Sequence, residues 1–134
     1  GGFDNLFRPA YEEDRDICWQ ALKAGYKLVF EPKSIVNHIH ETTNRSVFGE
    51  KKIQFYSMKN QLLFVWKNIS SLSLILRHIL WLPYHLVITS VKTRGIFLAA
   101  FLAALRQLPE ALVSRSKSAK LWRESDEEVL RMAK

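Results

Sequence analysis

Hydrophobic and polar positions alternate in three different ways along the chain. From about Glu12 to Ala24 the apolar positions Ile17, Cys18, Ala21 and Leu22 recur at helical spacing, so one stripe faces inward. Glu12, Glu13, Asp14 and Asp16 crowd the first turn, where a helix N-terminus favours carboxylates, and Gly25 stands where a left-handed C-terminal residue ends a helix. Tyr26–Phe30 and Ser34–Ile39 are short runs rich in aromatic and β-branched residues, separated by Pro32, and read as strands. The helical period returns from about Val47 to Lys67. Residues 69–91 are strongly apolar, broken by Arg77, His78, Pro83 and His85, and a second apolar run, GIFLAAFLAAL, covers 95–105. Ser125 followed by Glu128 predicts a capping box opening a last short helix. GGFDNLFRPA at the start and HETTNRS at 40–46 read as loops.

Charge changes this picture in one place. The chain of 134 residues has a formal charge of +7, but residues 1–66 are nearly neutral. Residues 67–123 hold nine Lys/Arg and a single acid, Glu110, and this basic stretch is also the most hydrophobic one. That pairing points to an anionic membrane surface, with Lys92, Arg94, Arg106, Arg115 and Lys117 meeting headgroups and Trp81 and Tyr84 at the interface. Ile69–Val91 is long enough to cross a bilayer, yet Arg77 and His78 fall near its middle, which favours helices lying in the membrane plane. A helical extension packed on a soluble domain is nearly as good a reading. Long aliphatic runs between the basic residues argue against nucleic acid as a partner. Cys18 is the sole cysteine, so no intrachain disulfide forms.

Two clusters carry candidate chemistry. Four carboxylates within five positions at 12–16 resist one another's ionisation, which can raise one towards general-base range. Alone, this cluster reads more simply as a well-charged helix start. His38 and His40, two apart on an expected strand, share a face and could ligate a metal, but a lone H-x-H more often marks one buried and one terminal histidine.

In combination the pieces are more specific. The run GGFDNLFRPAYEEDRDICWQALKAGYKLVFEPKSIVNHIH, with KNQLLFVWKN at 59–68, resembles the second half of the catalytic domain of family 2 glycosyltransferases. The resemblance covers roughly residues 1–68. It implies an α/β fold: the C-terminal half of a Rossmann-like GT-A domain over 1–68, followed by a mostly helical, basic extension over 69–134, α-rich by residue count. It implies inverting transfer of a sugar from a nucleotide-sugar donor to a glycan or lipid-linked acceptor. Asp14 matches the catalytic base and Glu13 the residue that orients it or holds the loop. His38, 24 residues beyond Asp14, matches a ligand of the divalent ion, Mn²⁺ or Mg²⁺, that neutralises the leaving diphosphate. Gly1, Gly2 and Asp4 match a loop on the acceptor side, and Trp19 is a candidate acceptor platform. Glu12 stands where a second aromatic is common in the family and Gln20 where many members have Arg, which leaves the acceptor contacts open. The resemblance further implies that a nucleotide-binding region precedes Gly1, that this piece alone is inactive, and that the whole enzyme is cytoplasmic and peripheral at the inner face of the cell membrane. The alternative is a membrane-surface module without chemistry of its own.

Overall fold

A computed structural model of the chain describes residues 2–35 and 47–132. Gly1, His38 and His40 lie outside the described residues. A short 3-10 turn at Asn5–Phe7 is followed by α1 (Glu13–Lys23), α2 (Glu50–Asn68), α3 (Leu72–Lys92), α4 (Ile96–Arg106), α5 (Leu108–Ala119) and α6 (Asp126–Met132). Within α3 the residues His85–Thr89, just after Pro83, take a π-helical turn. The proline lacks the N–H that the regular ladder needs, and the wider turn absorbs the mismatch.

The α/β expectation is overturned. Among the described residues there is no strand and no sheet; the fold there is helical. Tyr26–Phe30 runs as irregular chain with Val29 and Phe30 more than four-fifths exposed, and Ser34 and Ile35 are likewise not in a strand, Ser34 N–H turning back to Glu31 C=O at 3.0 Å; the rest of the second expected strand, 36–39, lies outside the described residues. Aromatic and β-branched residues favour a pleated surface only when a neighbouring strand supplies the other half of the ladder. No described segment offers one.

Local signals at the helix ends hold. Gly25, at φ +86°, closes α1 in a Schellman arrangement: Tyr26 N–H donates to Ala21 C=O and Gly25 N–H to Leu22 C=O, each at 2.9 Å. At α6 the Ser125 hydroxyl accepts from Glu128 N–H at 3.2 Å while Glu128 Oε2 accepts from Ser125 N–H at 2.8 Å, the reciprocal capping box.

The axis of the fold is α2, on which α1, α4 and α5 pack. Leu62, Leu63 and Phe64 join Leu6 and Phe7 from the N-terminal loop and Phe97, Ala104 and Ala111 from α4 and α5 in one buried cluster. Ala100, Ala104 and Ala111 are fully buried, and such small side chains let helices approach α2 closely. Trp19 and Trp66 edge onto Phe64 and Phe101, at ring separations of 5.8 and 6.2 Å.

What distinguishes α2 is a buried polar side. Lys59, Asn60, Lys67 and Asn68 are all at most 6% exposed, and each has partners. Lys67 Nζ donates to Asp4 Oδ2 and Asp16 Oδ2, both at 2.7 Å, and Asn68 Nδ2 donates to Asp16 Oδ1 at 2.8 Å. Gln20 bridges onward, donating to Asn68 and accepting from Trp122 Nε1. A second buried pair, Lys23 with Asp126 at 2.6 Å, ties α1 to α6, and the backbone N–H groups of Ser70 and Ser71 complete the same carboxylate. Arg115 donates to the C=O groups of Trp66, Lys67 and Ile69, capping the open end of α2. It therefore has a structural role at the end of α2.

Candidate functional site

A cavity of about 870 Å³ opens between the N-terminal loop, the first turn of α1 and the Ser57 and Gln61 positions of α2. Its walls include Asp4, Tyr11, Glu12, Glu13 and Asp14, so most of the acidic cluster meets in one place. Asp16, the fourth acid, points the other way into the Lys67 network. The split follows from the helix itself, since residues two apart lie about 200° around its axis.

The chain enters this site in an unusual conformation. Tyr11 and Glu12 both have φ +74°, in the left-handed region that non-glycine residues rarely occupy. Two such residues in succession cost on the order of 1–3 kcal/mol each, so the surroundings must hold them. The holder is Asn60, fully buried on α2. Its Nδ2 donates to the C=O groups of Phe7 and Ala10 at 2.7 Å and of Tyr11 at 3.1 Å. Three acceptors around one nitrogen fix the orientation of the amide.

Held this way, several polar atoms are buried without a hydrogen-bond partner among the described residues: Tyr11 Oη, Glu12 Oε2 and Glu13 Oε2. Glu12 Oε2 lies 2.9 Å from Arg15 Nη1, an ion pair without hydrogen-bond alignment to a side chain that is itself 62% exposed. Burial raises the Glu12 carboxyl above its ordinary value, Arg15 opposes the rise, and the Asp14 and Glu13 charges add to it. Asp14 is exposed on the first turn of α1, and its Oδ1 accepts from Arg15 N–H at 2.7 Å.

The other sequence candidates fall in different places. Asp4 lines the cavity, but both of its oxygens are engaged: Oδ1 accepts from Leu6 N–H at 2.9 Å, and Oδ2 from Lys67 and the Ser114 hydroxyl. Burial acts to raise its carboxyl, yet the bonds from Lys67, Ser114 and Leu6 outweigh it and hold Asp4 below its ordinary value. Gly2 is an exposed residue at φ +117° with open space around it. Trp19 belongs to a separate apolar groove of about 470 Å³, with Phe64, Arg77, His78, Trp81 and Leu130 among its walls. Among the described residues no group of three or more His, Cys, Asp or Glu side chains is arranged to hold a metal ion. Sequence reasoning missed Asn60 as the clamp and Glu12 as the buried acid. Asn60 sits in a run that otherwise reads as an ordinary amphipathic helix, and burial of one acid among four has no sequence signal.

The geometry is that of a helical unit presenting an acid-lined pocket on a strained loop. Over 51 residues the chain is 39% identical to the pre-mycofactocin glycosyltransferase of Mycobacterium tuberculosis, with the same values in strains CDC 1551 / Oshkosh and ATCC 25618 / H37Rv. The matched stretch is 38% of this chain and 10% of the relative, so the chain spans about a tenth of the length of the curated relatives it matches. No protein family's sequence profile and no solved structure matches it. A glycosyltransferase is thus a distant, partial relative, consistent with sugar transfer in general.

Proposed function

We propose that the acid-lined pocket is the acceptor side of a sugar-transfer site of the family 2 kind, contributed to a longer enzyme, with Asp14 as general base. The observation that carries this reading is the meeting of Asp14 with the buried Tyr11 Oη and Glu13 Oε2, which have no partner among the described residues, and with Glu12 Oε2, which pairs with Arg15, in one cavity of about 870 Å³. Groups buried without partners at a held, strained loop are what a pocket keeps for a polar ligand, here the hydroxyls of a glycan or lipid-linked acceptor. The second Asp14 oxygen has no partner among the described residues and takes the proton of the acceptor hydroxyl. As that proton leaves, the hydroxyl oxygen bonds to the anomeric carbon, and the bond from that carbon to the donor diphosphate breaks. The nucleoside diphosphate departs with the electron pair, and one in-line displacement inverts the configuration. Glu13 positions the loop beside the base. Asp4 belongs to the same rim, held there by Lys67, while Gly2 stands outside the cavity wall.

A divalent ion at the donor diphosphate, Mn²⁺ or Mg²⁺, is part of the proposal only through ligands beyond the described residues, His38 first among them. The described residues do not form a cation site by themselves, and no step above runs through one. A second reading is favoured by the raised Glu12 carboxyl, which would make Glu12 the proton acceptor instead.

The test is sugar transfer from a panel of nucleotide-sugars with Mn²⁺ present, using the longest natural protein that carries this sequence. Asp14→Asn and Glu12→Gln forms are compared with it, their folding checked by circular dichroism. Asp14→Asn is expected to lose about 10²–10⁴-fold in kcat with little change in KM. Full activity in Asp14→Asn and loss in Glu12→Gln would move the base to Glu12. Full activity in both would leave the cluster as a charged helix start only.

A further inference from the structure

We infer that the outward face of α3, continued by α4, rests on an anionic lipid bilayer with the helices lying in the membrane plane. This goes beyond the sugar-transfer reading and does not depend on it. α3 is apolar on both of its sides. Its inner side meets the protein: Leu82 and Leu86 pack against the core, and His78 Nε2 accepts from Trp66 Nε1 at 3.1 Å. On the outer side Leu72 is 70% exposed, Leu80 78% and Val91 74%. From Leu72 to Val91 every exposed position is apolar or aromatic except Ser73, Arg77 and His85. On α4 the exposed Leu98, Leu102 and Leu105 recur at helical spacing along one stripe. A helix apolar all round needs cover on all sides, and a patch of this extent is not one that a protein leaves to water.

Charge decides in favour of lipid as the cover. No acid occurs in the sequence between Glu50 and Glu110. Arg77, Lys92, Arg94 and Arg106 are exposed and pair with no acid among the described residues. Trp81 and Tyr84, edge to face at 5.6 Å and each about half exposed, suit the boundary between headgroups and acyl chains. An apolar face with free cations and an aromatic pair complements an anionic bilayer surface.

The length of α3, 21 residues, would also allow a crossing. Its attachments argue for the plane. Asp126 holds the backbone N–H groups of Ser70 and Ser71 at one end, Trp66 holds His78 further along, and the His85 ring lies 6.2 Å from that of Phe97. A crossing would draw the neighbouring α2, with its buried Lys59, Asn60, Lys67 and Asn68, into the hydrocarbon, where such groups are costly.

The experiment is flotation of the 134-residue chain with vesicles of phosphatidylcholine alone or mixed with phosphatidylglycerol. Binding is expected to the anionic vesicles only, to weaken at about 1 M salt where charges are screened beyond about 3 Å, and to fall at least tenfold in Leu80→Glu/Val87→Glu with unchanged circular dichroism. Depth is read from fluorescence, as the difference between the chain and its Trp81→Phe form. Lipids brominated near the headgroup are expected to quench Trp81 more than lipids brominated at the bilayer centre. Failure to float, or equal flotation of the double variant, overturns the proposal. Self-association through this face without vesicle binding would assign it to a second copy and also overturns it. Strongest quenching from the bilayer centre, with resistance to alkaline carbonate, would replace the in-plane placement by a span.

Discussion

Replacing Asn60 by Ala is expected to loosen the acid-lined pocket before anything else in the molecule. The Asn60 Nδ2 group has two hydrogens for three carbonyl acceptors, so one bond is shared. Two bonds at about 0.5–1.5 kcal/mol net contribute about 1–3 kcal/mol. Truncation also strands buried carbonyls, at about 1–3 kcal/mol for each that water cannot reach. Relief is smaller, because Asn60 Oδ1 is itself buried without a partner and its removal returns about 1 kcal/mol. The net loss is about 3 kcal/mol. With a urea slope of about 1.5–2 kcal/mol/M for a domain of this size, the midpoint falls by about 1.5–2 M. Urea unfolding followed by circular dichroism measures it, and Gln61→Ala, an exposed neighbour, serves as control at under about 0.5 kcal/mol. Amide exchange across residues 7–12 is expected to accelerate, because the left-handed Tyr11 and Glu12 then relax. A loss below about 1 kcal/mol, with exchange in that loop unchanged, would show that something other than Asn60 holds the strained turn.

Lys67→Met leaves the buried Asp16 carboxylate, and Asp4 beside it, without their shared cation; a loss of about 3–5 kcal/mol is expected in the same assay, against about 0–1 kcal/mol for Arg15→Ala, whose exposed side chain is screened by solvent from the buried Glu12 carboxyl. The pH dependence has two opposed parts. Asp4 and Asp126 are held below their ordinary value of 3.8, so their stabilisation is complete above that pH and is lost as pH falls through the lower folded values. Glu12 is raised above 4.5, so the folded chain binds its proton more tightly than the unfolded one, and stability falls as pH rises from 4.5 through the folded value. Thermal melts from pH 2 to 7 check both: Glu12→Gln is expected to remove the decline on the upper side and leave the acid limb intact.

The sequence by itself determined what depends on neighbours within a turn or two. The extent of the helix from Glu13 to Lys23, its Gly25 stop, the Ser125–Glu128 box and the long helix ending at Asn68 are written in local pattern, but the inward stripe expected on the first helix is not observed: Ile17 and Cys18 are exposed, and Asp16 and Lys23 are the residues it buries. The apolar character of 72–91 and its neighbouring cations were equally plain. Tertiary structure decided the rest. Tyr26–Phe30 has strand composition and no strand, because pairing needs a partner that composition cannot supply. Asp14 and Asp16, two residues apart with the same chemistry, part company: one faces the cavity and the other is buried against Lys67, 51 residues away in sequence. Glu12 differs from Glu13 by its burial, and Arg115 was drawn from the basic surface to the end of α2. For Asp16 and Arg115 the partner comes from a distant part of the chain, and the cost of desolvating a charge depends on which groups surround it once the helices have packed.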